Sequence, residues 1–523
     1  MALQCHDNPA LSVSVVKDNE VRFSQGFGTR KIGTSAETVT ERTIFGIASL
    51  SKAFAATLIV KLLDEDGRYD IDTPLRVILQ NDAIFSDELR SKFTTIRDLL
   101  AHRHGIPGNN RIRMDTNLTR ANLIGRLKYL SFKGRFRDSF YYSNLMYGVL
   151  THIAEVLGGK TWEELVKEHL FDPLGMTSST FVTTAKSESL ELAHGYFNNY
   201  GKMEPVPWEL SRRWGLLCGS GCVLSNAKDM TKWMMFHLNK GLGPEGTGIM
   251  NESSVTTLHR PQLHLPYSTN YKFKKPEIPV PTTQCSYAMG FRNGHYRGYE
   301  TLSHTGSMYG YKAMLTLFPS ENLGIFTAMT GDDQGYWFRT TLQNYLADIY
   351  LNQQPWLNQS TLCSFPEPFF KDTRPKTKPP IEKFRKLARY VSRYAGIYYH
   401  PAYKNLKIIP KFPLHMEYGF GKFKLYAMTK KDHFYMEAYD MARYMSSSYG
   451  KVIFHASERD KNAIDRIEIP SFQKDDPPIF LKGISTPAAY SKLGHKSTAD
   501  ILLPQFIFII VSVIVVFVNI FLF

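Results

Sequence analysis

Cysteine is scarce in this chain, with five in 523 residues, too few for a disulfide framework. There is no Cys-x-x-Cys pair, which removes the dithiol redox reading, and no His-Glu-x-x-His, which removes one metalloprotease signature. His102 and His104 form a His-x-His pair, but no further His/Asp cluster follows within a short span. A structural turn is expected there, with no metal and no cofactor. No nucleic-acid motif accompanies the net charge of +15, so nucleic acid is not an expected partner. No charged-then-apolar leader precedes the first strand. Charge is missing altogether from Ile501 to Phe523.

Against these absences stands Ser49-Leu50-Ser51-Lys52. Residues three apart share one helical face. A serine hydroxyl becomes nucleophilic when a base within hydrogen-bond reach takes its proton, and a lysine amine can do so only when neutral. Ser-x-x-Lys recurs at Ser14, Ser225, Ser448 and Ser471, but only Ser49 opens a long apolar run, Ala53 to Leu63, that stops at Gly67. That run predicts a buried helix with a glycine C-cap. The competing role for Ser49 is a helix N-cap. Two further elements follow in order. Tyr142-Ser143-Asn144 precedes another apolar helical stretch, and His304-Thr305-Gly306 precedes the strand-like run Lys312 to Phe318.

These three elements, with Phe45-Gly46-Ile47-Ala48, the segment Leu99 to Pro107, Phe171 to Met176 and the glycine-rich Cys218 to Ser225, resemble the serine β-lactamase-like family. That family includes class C β-lactamases, D-alanyl-D-alanine carboxypeptidases and related esterases. The resemblance covers roughly residues 8 to 350. It implies an α/β (α+β) fold, a sandwich of an antiparallel sheet with helices on both faces, and catalysis through a Ser49 acyl-enzyme. Lys52 and Tyr142 would share the general-base and proton-return work, and Asn144 would hold the substrate amide. His304, Thr305, Gly306 and Ser307 would bind substrate, with Ser307 and Ser49 supplying backbone N–H groups to the oxyanion. Gly306 would let the substrate approach the strand. His304 stands where class C β-lactamases carry lysine. Only partly charged at neutral pH, it would be a weaker carboxylate anchor.

The residues themselves suggest two domains and a tail. A strand at Leu11 to Val16 turns at Asp18-Asn19 into a return strand at Val21 to Phe23. The hydrolase domain is expected over 1–353, and the proline- and lysine-rich stretch 354–388 reads as a linker. Short aromatic and β-branched runs over 389–485 read as an antiparallel sheet or small barrel, similar to the lipocalin-like domain some family members append, with a filled core favoured over a ligand cavity. A spacer, 486–500, leads to residues 501–523, expected to be a membrane-spanning segment or a removable GPI-attachment signal. Basic residues around the linker suggest anionic lipid headgroups or a solvated face. Sequons at Asn117, Asn251 and Asn358 favour a lumenal glycoprotein, the missing leader a cytosolic one, and an incomplete N-terminus would reconcile them. Cys218 and Cys222 leave one disulfide possible.

The expected function is therefore a membrane-bound serine hydrolase cleaving a small-molecule or peptide-like ester or amide. The alternative is a catalytically inactive anchored binding or scaffold protein with the same fold.

Overall fold

A computed structural model of the chain describes residues 2–34, 36–199, 201–266, 278–333, 336–371, 391–445 and 449–492. The alternating run near the start forms β1 (Ala10–Lys17) and β2 (Glu20–Gly28). The turn between them places Asp18 at φ 53° and Asn19 at φ 64°, the left-handed pair that a tight hairpin uses and that Asp and Asn tolerate. Later in the chain come β3 (Leu263–His264), β4 (Thr282–Tyr287), β5 (Arg292–Tyr296), β6 (Tyr299–Met308), β7 (Tyr311–Phe318) and β8 (Leu323–Thr330). They complete an antiparallel sheet in the order β2-β1-β8-β7-β6-β5-β4-β3. The first hairpin is thus stitched to the last strand, Val13 opposite Thr327.

Every residue of β8 is buried, because helices cover both faces of the sheet. Phe326 and Ala328 join the core with Trp233 and Met234 of the helix Ala227–Leu238. Ile325, one residue out of phase, packs with Ala347 and Leu351 around the helix Trp337–Tyr350. The alternation is the period of two that a doubly covered strand requires. Helix α1 (Ser51–Asp66) carries the apolar run after Ser49 and ends at Gly67, φ 67°, as its C-cap signal predicts. Helix α2 (Asn144–Gly158) packs against it.

The C-terminal strands, from Gly396–His400 to Ile479–Lys482, close into an eight-stranded antiparallel barrel. Tyr398, Leu406, Met416, Leu425, Val452, Ile467 and Phe480 are all buried, so the interior is filled by side chains. The barrel sits on segment 109–126 of the first domain. Tyr403 Oη donates to Asn109 Oδ1 at 2.9 Å, the Phe420 N–H to Met114 O at 3.1 Å, and Arg126 Nη1 to Ala402 O at 3.2 Å.

The first part of the expected linker is packed structure. Residues 359–364 form a helix, Leu357, Leu362 and Phe365 are buried against the sheet, and Cys363 is bonded to Cys5. Proline spacing suggested a spacer, but the aromatic residues between the prolines supply apolar surface that the sheet's outer helix buries. Residues 372–390 and 501–523, with the basic cluster and the apolar tail, lie outside the described residues. Among the described residues no helix is long and apolar enough to cross a membrane. The second disulfide joins Cys218 to Cys222.

Candidate active site

Ser49 lies on a short 3-10 turn, Ala48–Leu50, immediately before α1. Its side chain caps nothing: the N-cap position of α1 is Leu50, without a side-chain cap bond. Ala48 is held at φ 48°, a left-handed conformation that costs a β-carbon-bearing residue about 1–2 kcal/mol. The turn is fixed by Leu50 N–H to Ile47 O and Ile47 N–H to Val223 O, both 3.2 Å. Ser49 itself remains partly exposed.

Lys52, on the first turn of α1, is 0% exposed. Its Nζ lies 3.2 Å from Ser49 Oγ, 2.7 Å from Asn144 Oδ1 and 3.1 Å from Ser220 O. Burial, and then the positive charge of Arg292, hold its pKa well below the ordinary lysine value. Hydrogen-bond arithmetic now matters. A neutral amine has two protons and a lone pair. Asn144 Oδ1 and Ser220 O can only accept, so they take the two protons, and the lone pair is left for the Ser49 hydroxyl.

Tyr142 Oη donates to Ser49 Oγ at 3.0 Å. Burial pushes its phenol up to about 12, so it stands protonated at neutral pH. Its ring centroid lies 4.7 Å from Lys52 Nζ. Ser143 caps α2 by accepting from the Met146 N–H, which places Tyr142 just before the helix and Asn144 on its first turn. The Ser143 N–H in turn donates to His102 Nδ1 at 3.2 Å, and His104 Nδ1 accepts from the Ile106 N–H at 3.1 Å. The two histidines therefore shape the loops behind the site.

The late triplet is divided by the pleat of β6. Strand β5 pairs with Tyr299 to Ser303, so the following residues of β6 face the Ser49 turn along an edge with no strand neighbour on that side among the described residues. His304 is 3% exposed. Its Nδ1 lies 2.8 Å from Thr305 O, which can only accept, so Nδ1 carries the proton and Nε2 accepts from Tyr287 Oη at 3.1 Å. Burial, Arg292 and Lys52 hold it well below its ordinary value. The anchoring role expected of His304 is thereby corrected: it is buried, neutral, and engaged at both ring nitrogens. Thr305 lies on the opposite face and lines a second pocket of about 340 Å³ with Arg292, Ser303 and Thr316. Gly306 has a job beyond the expected one. A Cβ there would lie 2.2 Å from Ile47 O, so the Ser49 turn itself requires glycine. Ser307 is exposed and lines the cleft beside Asn144.

Four residues escaped the sequence reading. Ser220 supplies a carbonyl to Lys52 from the glycine-rich segment that the Cys218–Cys222 bridge closes. Tyr287 fixes His304. Arg292 raises the local positive potential. Arg339, 0% exposed, donates to Gly306 O, to Ala313 O at 2.9 Å and to Ser307 Oγ at 3.2 Å while paired with Asp333 at 2.6 Å. It ties the end of β6 to β7 beside the Ser49 turn. The triplet Gly219-Ser220-Gly221 was a signal for the first; the other three carry no local signature.

The family model described as Beta-lactamase matches residues 2–344, and the chain belongs to that family. Among curated proteins it is similar to Gigasin-6 of Magallana gigas, 40% identical over 235 residues, covering 45% of this chain and 78% of that one. It also matches the unguisins hydrolase of Aspergillus campestris, 26% identical over 431 residues, 77% of this chain and 74% of the other. The octameric penicillin-binding protein homologue from Pyrococcus abyssi shares the fold with a TM-score of 0.56 at 18% identity, covering 92% of this chain and 97% of that chain.

Proposed function

We propose that this protein is a serine hydrolase that cleaves an ester or amide bond through an acyl-enzyme on Ser49. The observation that carries the reading is Ser49 Oγ held between a buried lysine amine at 3.2 Å and a phenol at 3.0 Å. Neutral Lys52 takes the hydroxyl proton as Oγ attacks the carbonyl carbon, and the backbone N–H groups of Ser49 and Ser307 receive the oxyanion. Tyr142, donor to Oγ, gives its proton to the departing oxygen or nitrogen. The ammonium formed on Lys52, over the Tyr142 ring, stabilises the transient phenolate. Water then enters and the same groups reverse their roles. The Aspergillus campestris relative is named as a hydrolase, which supports turnover over the scaffold alternative.

We further propose that residues 501–523 attach the protein to a membrane, and that its catalytic domain faces an oxidising compartment. The two disulfides and the exposed sequon residues Asn117, Asn251 and Asn358 support that side.

The test is labelling of the purified chain with a fluorophosphonate, read by mass spectrometry. Ser49 is expected to take the label, and Ser49→Ala to lose it while melting as the parent does. Labelling at Ser225, or unchanged labelling of the alanine variant, would overturn the assignment to Ser49, and no labelling at all would favour the scaffold reading.

A further inference from the structure

A cleft of about 1010 Å³ lies between the hydrolase domain and the barrel, with Asn144 and Ser307 on its catalytic side. Its far wall is basic. Arg111 and Arg113 come from a hydrolase turn, Lys451 and Lys474 from the barrel, and Asp332 is the one carboxylate among the described lining residues. Arg113 is 6% exposed, yet its Nε and Nη1 are buried with no hydrogen-bond acceptor among the described residues. The guanidinium stands 4.3 Å from the Trp214 ring centroid and 5.5 Å from that of Tyr309. These rings attract the charge but accept none of its in-plane hydrogen bonds. The Tyr309 hydroxyl is also buried, with no partner among the described residues. Arg111 is held down to about 10 by burial and by the neighbouring Arg113.

Uncompensated buried charge is costly, and two like charges side by side are more so. An incoming oxyacid removes both costs. The fork of Arg113 matches a carboxylate or phosphoryl group in a bidentate contact, and the Tyr309 O–H adds a third donor. The barrel builds this wall twice over: it supplies the two lysines and pins the turn carrying Arg113 through Asn109 and Met114. The cleft reaches the site at Asn144, which would hold the substrate amide on the acyl side, and at Ser307. A group bound against the wall therefore extends from the end of the substrate that Asn144 holds.

We propose that the wall of Arg113, Arg111 and Tyr309 binds an anionic oxyacid group, a carboxylate or a phosphoryl group, on the acyl portion of the substrate. The inference rests on the acyl-enzyme reading above and deepens it: the substrate is an acidic acyl ester or amide.

The test uses the full chain and p-nitrophenyl esters of matched length: pentanoyl, glutaryl and phosphonobutyryl. kcat/KM for an acidic ester is expected to exceed that for the neutral one by about 10- to 100-fold, the range of hydrogen bonds to a charged group. The ratio falls in about 1 M salt. Which acidic ester is preferred separates carboxylate from phosphoryl recognition. Arg113→Gln lowers the ratio and Arg113→Lys retains part of it. Lys451→Gln, on the barrel and away from the buried rings, lowers it independently should Arg113→Gln fold poorly. A ratio near one in the parent chain overturns the proposal, as does an acidic preference that survives both glutamine variants. Hydrolysis of none of the esters, with Ser49 unlabelled, would instead overturn the hydrolase reading and this one with it.

Discussion

Replacing Gly306 by alanine tests how the nucleophile is held. The new Cβ would stand 2.2 Å from Ile47 O and 3.3 Å from the Ala48 Cβ. An ordinary carbon–oxygen contact needs about 3.2 Å or more, so strand and turn must part by roughly 1 Å. Neither yields easily. Ile47 O is the acceptor that closes the turn presenting Ser49, and Ile47 N–H is tied to Val223 O. Gly306 is paired opposite Ala313 and its carbonyl is held by Arg339. Overpacking of this kind costs about 1–3 kcal/mol of stability. A displacement of about 1 Å between nucleophile and oxyanion donors costs on the order of 100-fold in rate. The assay is kcat/KM on a chromogenic ester together with the rate of fluorophosphonate labelling at Ser49, both expected to fall by about that factor in a folded variant. Gly125→Ala is the control. It sits in the helix Arg120–Leu127, where nothing lies within 4 Å of the new methyl, and it should be neutral or stabilising by about 0.5–1 kcal/mol. Were Gly306 needed only to admit substrate, the small fluorophosphonate would label Gly306→Ala at the parent rate, and the packing argument would be refuted.

Lys52→Arg is expected to lose about as much ester hydrolysis as Lys52→Ala, about 10²- to 10⁴-fold, because guanidinium keeps its charge and accepts no proton; parent-like activity in the arginine variant would show that Lys52 supplies charge alone. Acid should destabilise the fold through its buried histidines. His104 is held down to about 3 and His259 to about 4, chiefly by burial, so below the ordinary histidine value of 6.5 the unfolded chain takes up protons that the native state refuses. Stability contributed by each is therefore full above about pH 6.5 and falls by roughly 1.4 kcal/mol per pH unit until pH reaches the native values. Denaturant midpoints at pH 7.5 and 5.5 read this directly, and equal stability at the two would contradict it. The protein is also expected to sediment with membranes and to stay bound in about 1 M salt, since salt screens headgroup attraction but not burial of an apolar segment; release by salt would move the anchoring role from residues 501–523 to the basic stretch.

What could be read from the sequence divides along one line. Ser49 with Lys52, and Tyr142 with Asn144, are pairs two or three residues apart at the start of a helix, so their mutual spacing is set locally and is visible in the chain. The same holds for the Asp18-Asn19 turn and the Gly67 cap. Residues brought in by the sheet were not visible. Arg339 reaches Gly306 across 33 residues, and Cys5 reaches Cys363 across 358, with nothing local to announce either. The first part of the linker was misread for the same reason, because prolines punctuate a chain locally while the burial of Leu357 and Phe365 depends on a sheet face built from residues far away in sequence, Val15 among them.

His304 shows a subtler limit, one of charge state and not of position. Its place at the end of the strand was legible, but its protonation depends on what surrounds it. Burial disfavours the imidazolium, and Arg292 and Lys52 disfavour it further. The same potential lowers Lys52. Arg292 and the buried histidine therefore belong to one electrostatic design. A charged residue at position 304 would stand close to the base, and a neutral one leaves Arg292 as the principal cation biasing Lys52 toward the neutral amine. On that argument the absence of lysine at position 304 is not a loss of function. It is compatible with a base that works, and it moves the burden of anion recognition away from the triplet, toward the arginines on the barrel side of the cleft.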